Sequence, residues 1–327
     1  MRADGIGDAL VCAPLVAALH AAGHVVGAVL GTRNRDVFAP CAFARVHVLE
    51  RIPWPAHGST PVSRARALAG VRAQRYDVAL IATEELDAYA FARDARIATR
   101  VGFVNGASKP LKSLQVRALL TRAIVRPASA HRARAHEVET LFALGRGFVR
   151  ETRPTRDVAR LRALVLGETA GGGERRSIAI QTSLKFARAG LHRDTFVALA
   201  AALRTRGDDV VLVGDDDALV RDVAFASGTR GAPALDVRAW IASVAHARAL
   251  VTGDSGAAHV AGMTGVPTVD AFAPGPATAY DACRWAPWAA PHRMVVLDPV
   301  RAAAQTAAIL TRALDDVLAA PAGAARG

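Results

Sequence analysis

Cysteine is scarce in this chain of 327 residues, and its three cysteines include no C-x-x-C pair. Cys12, Cys41 and Cys283 form an odd, widely spaced set, so neither a disulfide framework nor a zinc knuckle is expected. A reducing cytosol is the default compartment for such a chain. No apolar run approaches the roughly 18 residues of a membrane span. The sequence therefore predicts a soluble, cytoplasmic protein.

Aromatic residues make up 5% of the chain, and lysine supplies only three of its 41 basic residues. No base-stacking or groove-reading motif accompanies the basic charge, which argues against nucleic acid as a partner. Hydrophobic residues make up 52% of the chain, and a chain this apolar can bury a large core, which excludes disorder. The length predicts two domains, because single cores stop growing at roughly 250 to 300 residues.

Positive charge is concentrated in the first half of the chain. The formal net charge is +12, with 21 basic and 11 acidic residues in 1–150 but 20 and 18 in 151–327. This asymmetry predicts an anionic partner for the first half and no comparable requirement in the second.

Short β-branched runs alternate with longer helical stretches, which is typical of an α/β fold with a parallel sheet covered on both faces. The predicted strands are 25–30, 46–49, 78–82, 177–181, 210–213, 249–252 and 268–271. The predicted helices are 9–22, 62–74, 196–206, 218–227, 239–248 and 257–264. A turn-forming stretch at 151–154 divides the chain into domains 1–152 and 153–327.

Residues 251–266, V-T-G-D-S-G-A-A-H-V-A-G-M-T-G-V, are the segment most suggestive of chemistry. A strand ends at Thr252, a tight turn follows, and a helix opens at Ala257. Backbone N–H groups at a helix start, with small residues that allow close approach, suit a diphosphate. In the alternative interpretation, Asp254 and Ser255 act only as helix N-caps.

This segment and three others resemble glycosyltransferase family 9, the ADP-heptose lipopolysaccharide heptosyltransferases. The C-terminal signature is G-D-S-G-A-A-H-V-A-G-M-T-G-V-P-T-V, followed by A-F-A-P-G-P and R-W-A-P-W. The other segments, in the family's order, are R-A-D-G-I-G-D-A-L-V-C-A-P-L, then Y-D-V-A-L-I-A-T with A-R-I-A-T-R-V-G-F, and finally H-E-V-E-T-L-F-A-L-G.

The resemblance implies a GT-B architecture, in which two Rossmann-like doubly wound domains face each other across a cleft. The first domain would bind the acceptor and the second the nucleotide sugar. It also implies inverting, metal-free transfer of heptose from ADP-heptose, without a cofactor, to a lipid A-linked inner-core acceptor of lipopolysaccharide. Two alternatives remain open: another sugar donor or polysaccharide acceptor, or a degenerate, non-catalytic family member.

The resemblance also assigns roles to individual residues. Asp8 matches the catalytic base, which would take the proton of the acceptor hydroxyl, although on its own it reads as a helix N-cap. The residues implied in donor binding are Ser183, Gly214, Asp217, Asp254, Ser255, Gly256 and His259. The family lysine before a Trp-Pro pair is absent here. Arg188 or Lys185 would supply its charge. Arg188 is preferred because its planar guanidinium can form two parallel hydrogen bonds to a phosphate.

Acceptor binding is expected in the basic half of the chain. Arg64, Arg66, Lys109 and Lys112 are the candidates for pairing with acceptor carboxylates or phosphates. Residues 105–126 carry five basic residues and no acid, with apolar residues between them. Such a segment is a solvated helix face, a nucleic-acid surface or a contact to anionic lipid. An anionic lipopolysaccharide precursor fits best, with peripheral contact at the cytoplasmic face of the inner membrane.

The start of the chain departs from the family pattern. The family's first buried strand precedes the G-D loop, yet only seven residues precede Asp8 and none of them forms an apolar run. A central parallel strand hydrogen bonds to both of its neighbours, so its loss would exceed a typical stability of roughly 5 to 15 kcal/mol. We therefore expect translation to start upstream of Met1.

Overall fold

The computed structural model describes residues 1–50, 58–126, 135–167, 176–233 and 235–320. The chain divides into two compact units, Met1–Thr155 and Arg156–Gly327, which we call unit 1 and unit 2. The boundary predicted from the sequence is residue 152. Each unit is an α/β structure with parallel strands.

Unit 1 contains five described strands and six described α-helices. The strands are β1 (Gly27–Gly31), β2 (Arg45–Leu49), β3 (Val78–Ile81), β4 (Thr99–Val104) and β5 (Arg122–Val125). The helices are α1 (Ile6–Leu10), α2 (Ala13–Ala21), α3 (Pro61–Gln74), α4 (Leu86–Asp94), α5 (Pro110–Arg117) and α6 (Glu137–Phe142). Short 3₁₀ helices cover Pro40–Ala42, Gly106–Ser108 and Ala143–Gly145.

Two predicted elements differ from the structure of unit 1. The helix predicted over 9–22 is two helices, α1 and α2, because Pro14 lies at the second position of α2 and has no N–H to donate to the preceding turn. The basic segment 105–126 is only partly helical. It forms α5 and then the edge strand β5, whose Ile124 and Val125 are β-branched and favour a strand.

The strands of unit 1 form two sheets, β1-β2 and β3-β4-β5, all paired in parallel. Met1 and Arg2 lie between β1 and β3. The Met1 ammonium donates to the Leu80 carbonyl at 2.8 Å, and the Arg2 N–H donates to the Val29 carbonyl at 3.0 Å. Beyond these contacts β1 and β3 line a pocket of about 460 Å³. The expected upstream strand stays a prediction.

Unit 2 contains six described strands and seven described α-helices. The strands are β6 (Ile178–Thr182), β7 (Val210–Gly214), β8 (Arg230–Gly231), β9 (Ala249–Gly253), β10 (Thr268–Phe272) and β11 (His292–Val296). The helices are α7 (Val158–Leu166), α8 (Arg193–Thr205), α9 (Asp217–Ser227), α10 (Val237–Ala245), α11 (Gly256–Thr264), α12 (Thr278–Arg284) and α13 (Ala303–Ala319). A 3₁₀ helix covers Leu184–Ala189.

The six strands of unit 2 form one parallel sheet in the order β11-β10-β9-β6-β7-β8. The first strand, β6, lies in the middle, and the chain winds outwards first on one side and then on the other. This is the doubly wound Rossmann order, whose switch point lies between β6 and β9. Ligands of such sheets bind beyond the carboxyl ends of the strands at that point.

Buried aliphatic side chains hold the helices of unit 2 against this sheet. Ile178, Ile180 and Val251 from the strands pack in one cluster with Leu199 of α8 and Leu310 of α13, all at most 1% exposed. Fully burying one such side chain stabilises the fold by roughly 1.5–3 kcal/mol. Across the described residues, no helix is both long and apolar enough to cross a membrane.

Candidate functional site

The predicted donor residues of unit 2 follow three adjacent strands. Ser183 and Lys185 follow β6, Gly214 ends β7, and Asp254 follows β9. Because β9, β6 and β7 are neighbours and run in parallel, their carboxyl ends meet at one edge of the sheet. The structure thus brings most of the predicted donor residues to the edge where a doubly wound sheet binds ligands.

The turn between β9 and α11 is built to expose backbone N–H groups. Ser255 is the N-cap of α11, and its Oγ accepts from the Ala257 N–H at 3.3 Å. Thr252 Oγ1 lies 2.9 Å from Ser255 Oγ and so fixes the cap. Asp254 is exposed, and its own N–H donates to the Ala271 carbonyl at 3.2 Å. Gly256, the first residue of α11, adds no side chain over the helix start. A helix N-terminus of this kind favours an anion.

Two glycines let neighbouring groups approach these strand ends closely. A Cβ on Gly214 would lie 2.6 Å from Thr182 Oγ1 and 2.7 Å from the Thr182 carbonyl oxygen. A Cβ on Gly253 would lie 2.7 Å from the Phe186 ring. A larger residue at Gly214 would push β7 away from β6, and one at Gly253 would push β9 away from the segment after β6, so both positions require glycine.

Polar side chains link the loops that follow β6 and β7. Lys185 Nζ binds Asp215 Oδ2 at 2.7 Å, and Ser183 Oγ accepts from the Lys185 N–H at 3.3 Å. Burial raises the pKa of Asp215, but hydrogen bonds from Lys185 and Ser183 outweigh burial and leave that pKa below its usual range. Arg188 is exposed in the 3₁₀ helix two residues before Gly190.

The three acidic residues after β7 have separate roles. Asp215 pairs with Lys185, Asp216 is the N-cap of α9, and Asp217 is the first residue of α9. Asp216 Oδ1 accepts from two N–H groups of the first turn, at 3.0 Å each. Asp217 contacts Arg221 at 3.8 Å on the same helix face. The side chain of Asp217 is therefore engaged on α9.

His259 lies one turn into α11 and is 5% exposed. Its ring contacts the ring of Trp285 edge to face, with centroids 5.8 Å apart. The side chain of Arg284 lies 4.6 Å from the centroid of that same Trp285 ring. These contacts show how His259 packs in unit 2.

In unit 1, Asp8 is the third residue of α1, and its carboxylate accepts a hydrogen bond from the N-cap residue, Gly5. Its Oδ2 accepts from the Gly5 N–H at 3.0 Å, and its Oδ1 accepts from Arg2. The Asp8 side chain is 32% exposed, whereas that of Arg2 is 9% exposed. Asp8 thus lies within its helix rather than at the N-cap position of the alternative interpretation, and one part of its carboxylate remains open to solvent.

Arg2 is the residue that the sequence did not single out. Its guanidinium binds Asp8, pairs with Asp4 at 3.2 Å and donates to the Ala82 carbonyl. Burial opposes the charge of Arg2, yet the two carboxylates raise its pKa above the usual value. Arg2 therefore ties the Asp8 loop to β3. No sequence pattern pointed to it, because its partners come together only in the folded unit.

The predicted acceptor residues Arg64 and Arg66 lie on α3 but have different surroundings. Arg64 binds Asp94 at 2.6 Å and lies over the Phe91 ring at 5.4 Å. Arg66 is exposed. Residues two apart on a helix do not share a face. The structure therefore separates these two arginines and engages one of them with α4.

Lys109 and Lys112 gather around one carboxylate, Glu84. The lysine nitrogens lie 3.8 and 3.9 Å from Glu84 Oε2, and Arg126 lies 3.3 Å from Oε1. Asn105 also donates to Glu84 at 3.1 Å. Burial raises the pKa of Glu84, but Arg126, Asn105 and the two lysines together hold that pKa below its usual range. Glu84, too, was not among the predicted site residues.

Arg126 is held more firmly than the lysines. It binds the buried Glu137 at 2.6 and 2.7 Å through one nitrogen and lies over the Phe103 ring at 5.4 Å. Its guanidinium is 10% exposed and is therefore part of the framework of unit 1. Within the described ranges, no group of three or more His, Cys, Asp or Glu side chains forms a metal site.

Similarity to solved structures extends over nearly the whole chain. E. coli heptosyltransferase WaaC, solved with ADP-2-deoxy-2-fluoro heptose, is 15% identical with a TM-score of 0.72, and 96% of this chain and 98% of that chain are covered. E. coli ADP-heptose lps heptosyltransferase II is 18% identical with a TM-score of 0.67, and 97% of each chain is covered. The glycosyl transferase family 9 protein from Veillonella parvula DSM 2008 is 14% identical with a TM-score of 0.70, and 97% of this chain and 95% of that chain are covered. These likenesses show the fold, two Rossmann-like units of the GT-B class, as predicted.

A comparison with curated proteins finds no match. The family model of glycosyltransferase family 9 (heptosyltransferase) matches residues 64–307, about three quarters of the chain. The matched range contains every predicted donor and acceptor residue, and Asp8 lies before it. The chain therefore belongs to glycosyltransferase family 9, the heptosyltransferase family, and is a glycosyltransferase.

Proposed function

We propose that the protein is an inverting, metal-independent glycosyltransferase that moves heptose from ADP-heptose to a lipid A-linked inner-core acceptor of lipopolysaccharide in the cytoplasm. The observation that carries this proposal is the edge of unit 2 where the ends of β6, β7 and β9 meet at the start of α11. The likeness to E. coli WaaC, which was solved with ADP and with an ADP-heptose analogue, supports a nucleotide-sugar donor.

The donor diphosphate would bind at the first turn of α11. Ser255 and Gly256 leave this helix start open, and the helix dipole favours the negative charge of the diphosphate. The exposed carboxylate of Asp254 would bind hydroxyl groups of the heptose. Gly214 would let the donor approach the end of β7 closely. His259 supports the helix by packing on Trp285.

The departing ADP needs positive charge beside its diphosphate. Arg188 is exposed close to the end of β6, and Lys185 is 79% exposed although it pairs with Asp215. Arg188 would bind the phosphate oxygens in a forked arrangement, while Lys185 would move from Asp215 to the donor. These cations and the amides of α11 would stabilise the leaving group without a general acid.

Asp8 would act as the general base. The acceptor hydroxyl oxygen attacks the anomeric carbon and forms the new C–O bond, while the bond from that carbon to the ADP oxygen breaks and its electron pair leaves with ADP. The hydroxyl proton passes to the Asp8 carboxylate. Arg2 donates to the Asp8 carboxylate and would fix its orientation towards the acceptor hydroxyl.

Acceptor binding is proposed for the basic side chains of unit 1. Arg66 and Lys109 are exposed and available to acceptor phosphates or carboxylates. Glu84 partly neutralises both Lys109 and Lys112, whose nitrogens lie 3.8 and 3.9 Å from it, and Lys109 is the more exposed of the two. Arg64 would contribute mainly by holding α3 against α4 through Asp94.

The test is sugar transfer from ADP-heptose by the wild type and by Asp8→Ala and Asp254→Ala. Asp8→Ala should lower kcat by about 10²–10⁴-fold, the usual contribution of a general base, and leave the Kd for ADP-heptose close to that of the wild type. Asp254→Ala should raise that Kd by about tenfold or more, since it removes charge-assisted hydrogen bonds of roughly 1.5–3 kcal/mol. Asp36→Ala, which removes an exposed acid of unit 1, is the matched control.

Other results would favour the two alternatives. Preference for a different nucleotide sugar, or for an acceptor that is not a lipopolysaccharide precursor, would replace the proposed substrates and keep the enzyme. Tight binding of ADP-heptose with no transfer to any acceptor, by the wild type and Asp8→Ala alike, would identify a non-catalytic family member.

A further inference from the structure

Asp270 is a buried acid that the transfer chemistry of the proposed function does not use. It lies in β10 and is 1% exposed, and neither of its carboxyl oxygens has a hydrogen-bond partner within the part of the chain that the structure describes. A carboxylate that is buried without partners is strongly disfavoured, so such a group retains its proton. Burial, and then the nearby charge of Asp254, therefore raise the pKa of Asp270 well above its usual value.

The side chain of Asp270 lies on the same face of the sheet as the start of α11. Asp270 is in register with Thr252 of β9 and with Met294 of β11, and side chains in register on neighbouring strands point to one face. The alternate residues Val251 and Val269 belong to the cluster with α8 and α13, on the other face. Thr252 contacts the N-cap of α11, so Asp270 lies on the face that α11 covers.

A chain of hydrogen bonds connects Thr252 to the first turn of α11. The Ala257 N–H donates to Ser255 Oγ at 3.3 Å, and Ser255 Oγ lies 2.9 Å from Thr252 Oγ1. Thr252 in turn donates to the Gly253 carbonyl at 2.8 Å. Because a hydroxyl group has one proton, Thr252 has none left to donate to Asp270. A neutral Asp270 is compatible with this arrangement, whereas an ionised Asp270 would compete for the Thr252 proton.

Few other titratable groups lie on the elements packed against β10. Asp254 follows β9, and His259 lies one turn into α11. On β11, burial lowers the pKa of His292, so its ring is neutral near pH 7. On the opposite face, α13 packs through apolar side chains such as Leu310. Of these groups, Asp254 is the one whose charge acts on Asp270.

We propose that Asp270 is a positioning residue of the donor site, which leaves the Thr252–Ser255 cap intact while it is neutral and weakens donor binding when it ionises. This inference rests on the proposed function, in which the donor diphosphate binds at the first turn of α11. Ionisation acts in two ways with the same sign. It draws the Thr252 proton away from the turn, and it adds a negative charge behind the helix start that repels a diphosphate. Donor affinity therefore falls as the pH rises through the folded pKa of Asp270.

The test is the Kd for ADP-heptose, measured by calorimetry between about pH 6 and 10. The two phosphates of this donor are each esterified or bridged, so the ligand itself does not titrate in that range. The wild-type Kd should be constant at low pH and then rise by up to about tenfold per pH unit. Asp270→Asn and Asp270→Val should give a flat profile, and Asp270→Asn should keep the low-pH Kd of the wild type.

Steady-state kinetics separate positioning from a general loss of structure. Because Asp270 acts on donor binding alone, the ratio of wild-type kcat to that of Asp270→Asn at saturating donor should stay constant with pH. The KM for the donor should rise with pH in the wild type only. A merely structural role of Asp270 would change kcat and KM together.

Two further variants sharpen the test. Asp254→Asn should weaken binding overall and also move the rise in Kd to lower pH, since the charge of Asp254 raises the pKa of Asp270. Asp281→Asn is the matched control, because it removes a partly exposed acid of α12, the next helix after β10. Its pH profile should follow that of the wild type.

Hydrogen exchange of the ligand-free chain distinguishes a failure of this inference from a failure of the proposed function. The amides of Ala257 and Ala258, which donate to Ser255, report on the cap. The ratio of their exchange rates in the wild type to those in Asp270→Asn should rise with pH, since the ratio cancels the intrinsic pH dependence of exchange. If ADP-heptose does not bind at any pH, the proposed function fails, and this ratio still decides the inference. The inference is overturned if the exchange ratio is constant, or if the wild type and Asp270→Asn bind ADP-heptose with the same pH profile.

Discussion

The two units hold their candidate functional residues by different means. In unit 2, the turn after β9 and the end of β7 are fixed by backbone hydrogen bonds, helix caps and glycines that admit no side chain. In unit 1, Asp8 is held by the buried guanidinium of Arg2, and the cations of the acceptor half gather around carboxylates such as Glu84. Unit 2 relies on backbone geometry, whereas unit 1 relies on charge.

This difference changes the meaning of the positive charge in the first half of the chain. Several of these cations already have an anionic partner within unit 1: Arg64 binds Asp94 and Arg126 binds Glu137. Exposed cations such as Arg66 and Arg117 are the ones that can attract an anion from solution. The sequence predicts the sign of the partner, and only the structure separates the two groups of cations.

The largest expected effect on the stability of the fold is at Arg2. Replacing Arg2 by Ala would leave Asp8 and Asp4 without their shared cation and remove the hydrogen bond to the Ala82 carbonyl. Breaking a buried ion pair costs about 3–5 kcal/mol, and less where one partner is partly exposed as Asp8 is. We expect a loss of about 2–4 kcal/mol in unfolding free energy and a fall in kcat of about tenfold or more.

Hydrogen exchange of the β1 and β3 amides measures the stability loss where Arg2 lies, and a double-mutant cycle with Asp8→Ala measures the coupling. Arg2→Lys should recover part of the lost stability and part of the lost kcat, since lysine keeps the positive charge but lacks the planar guanidinium with its several donors. If Arg2→Ala lowered the stability but left kcat and its pH profile unchanged, Arg2 would not position Asp8.

A smaller effect is expected where unit 2 depends on backbone packing. A Cβ on Gly262 of α11 would lie 2.5 Å from the Trp288 backbone nitrogen and 2.8 Å from Pro287 Cα. The Gly262 carbonyl also accepts from the Ala289 N–H at 3.0 Å. Because backbone atoms cannot rotate away, Gly262→Ala must shift α11 or the segment that follows α12. Such overpacking costs about 1–3 kcal/mol.

Tryptophan fluorescence during urea unfolding is a direct measurement here, since Trp285 and Trp288 lie in the affected region. Gly275→Ala is the matched control, because its Cβ would meet only Thr278 Oγ1 at 3.5 Å, an ordinary contact. We also expect Gly262→Ala to weaken binding of ADP-heptose, since α11 begins at the candidate diphosphate site. Equal stability of the two glycine variants would contradict the role of close backbone packing.

Local sequence patterns predicted most helices and strands of unit 2, whereas they did not predict the side-chain contacts of unit 1. The strands at 249–252 and 268–271 and the helix at 257–264 agree with β9, β10 and α11 because apolar runs and a small-residue turn define them locally. The helix at 9–22 was wrong as one element, because Pro14 was not read as a helix start. The short β8 carries too little pattern to be found.

The side-chain contacts of unit 1 could not be predicted, because they join residues far apart in the chain. Arg2 meets Ala82 just after β3, and Glu84 meets Arg126 just after β5, only because the fold brings these segments together. Charge composition shows that cations are in excess, and it does not show which cation meets which carboxylate. The exposure of Leu111 and Leu114 was equally hidden, since their spacing is compatible with a buried helix face.

One buried carboxyl group in unit 2 is not held by hydrogen bonds, unlike the turn after β9. Asp270 lies in β10, paired in register with Thr252 of β9, and is 1% exposed. Neither of its carboxyl oxygens has a hydrogen-bond partner among the described residues. Burial, and then the nearby charge of Asp254, raise the pKa of Asp270 well above its usual value. The buried carboxyl therefore retains its proton to higher pH in the folded chain than in the unfolded chain.

An effect of the opposite sign, a gain of stability, is expected when Asp270 is replaced. With a folded pKa above the unfolded value of roughly 3.9, Asp270 does not penalise folding below pH 4. Stability is lost as the pH rises towards the folded pKa, by at most about 1.4 kcal/mol per pH unit. Asp270→Val removes both this loss and the unpaired oxygens. Its free energy of unfolding near neutral pH should therefore exceed that of the wild type by about 1–3 kcal/mol, and it should unfold at a higher urea concentration. Asp270→Asn should lose the pH dependence but gain less, because its amide still lacks partners. Urea unfolding between about pH 4 and 8 measures both, and a difference from the wild type that is the same at every pH would show that the buried carboxyl does not hold its proton.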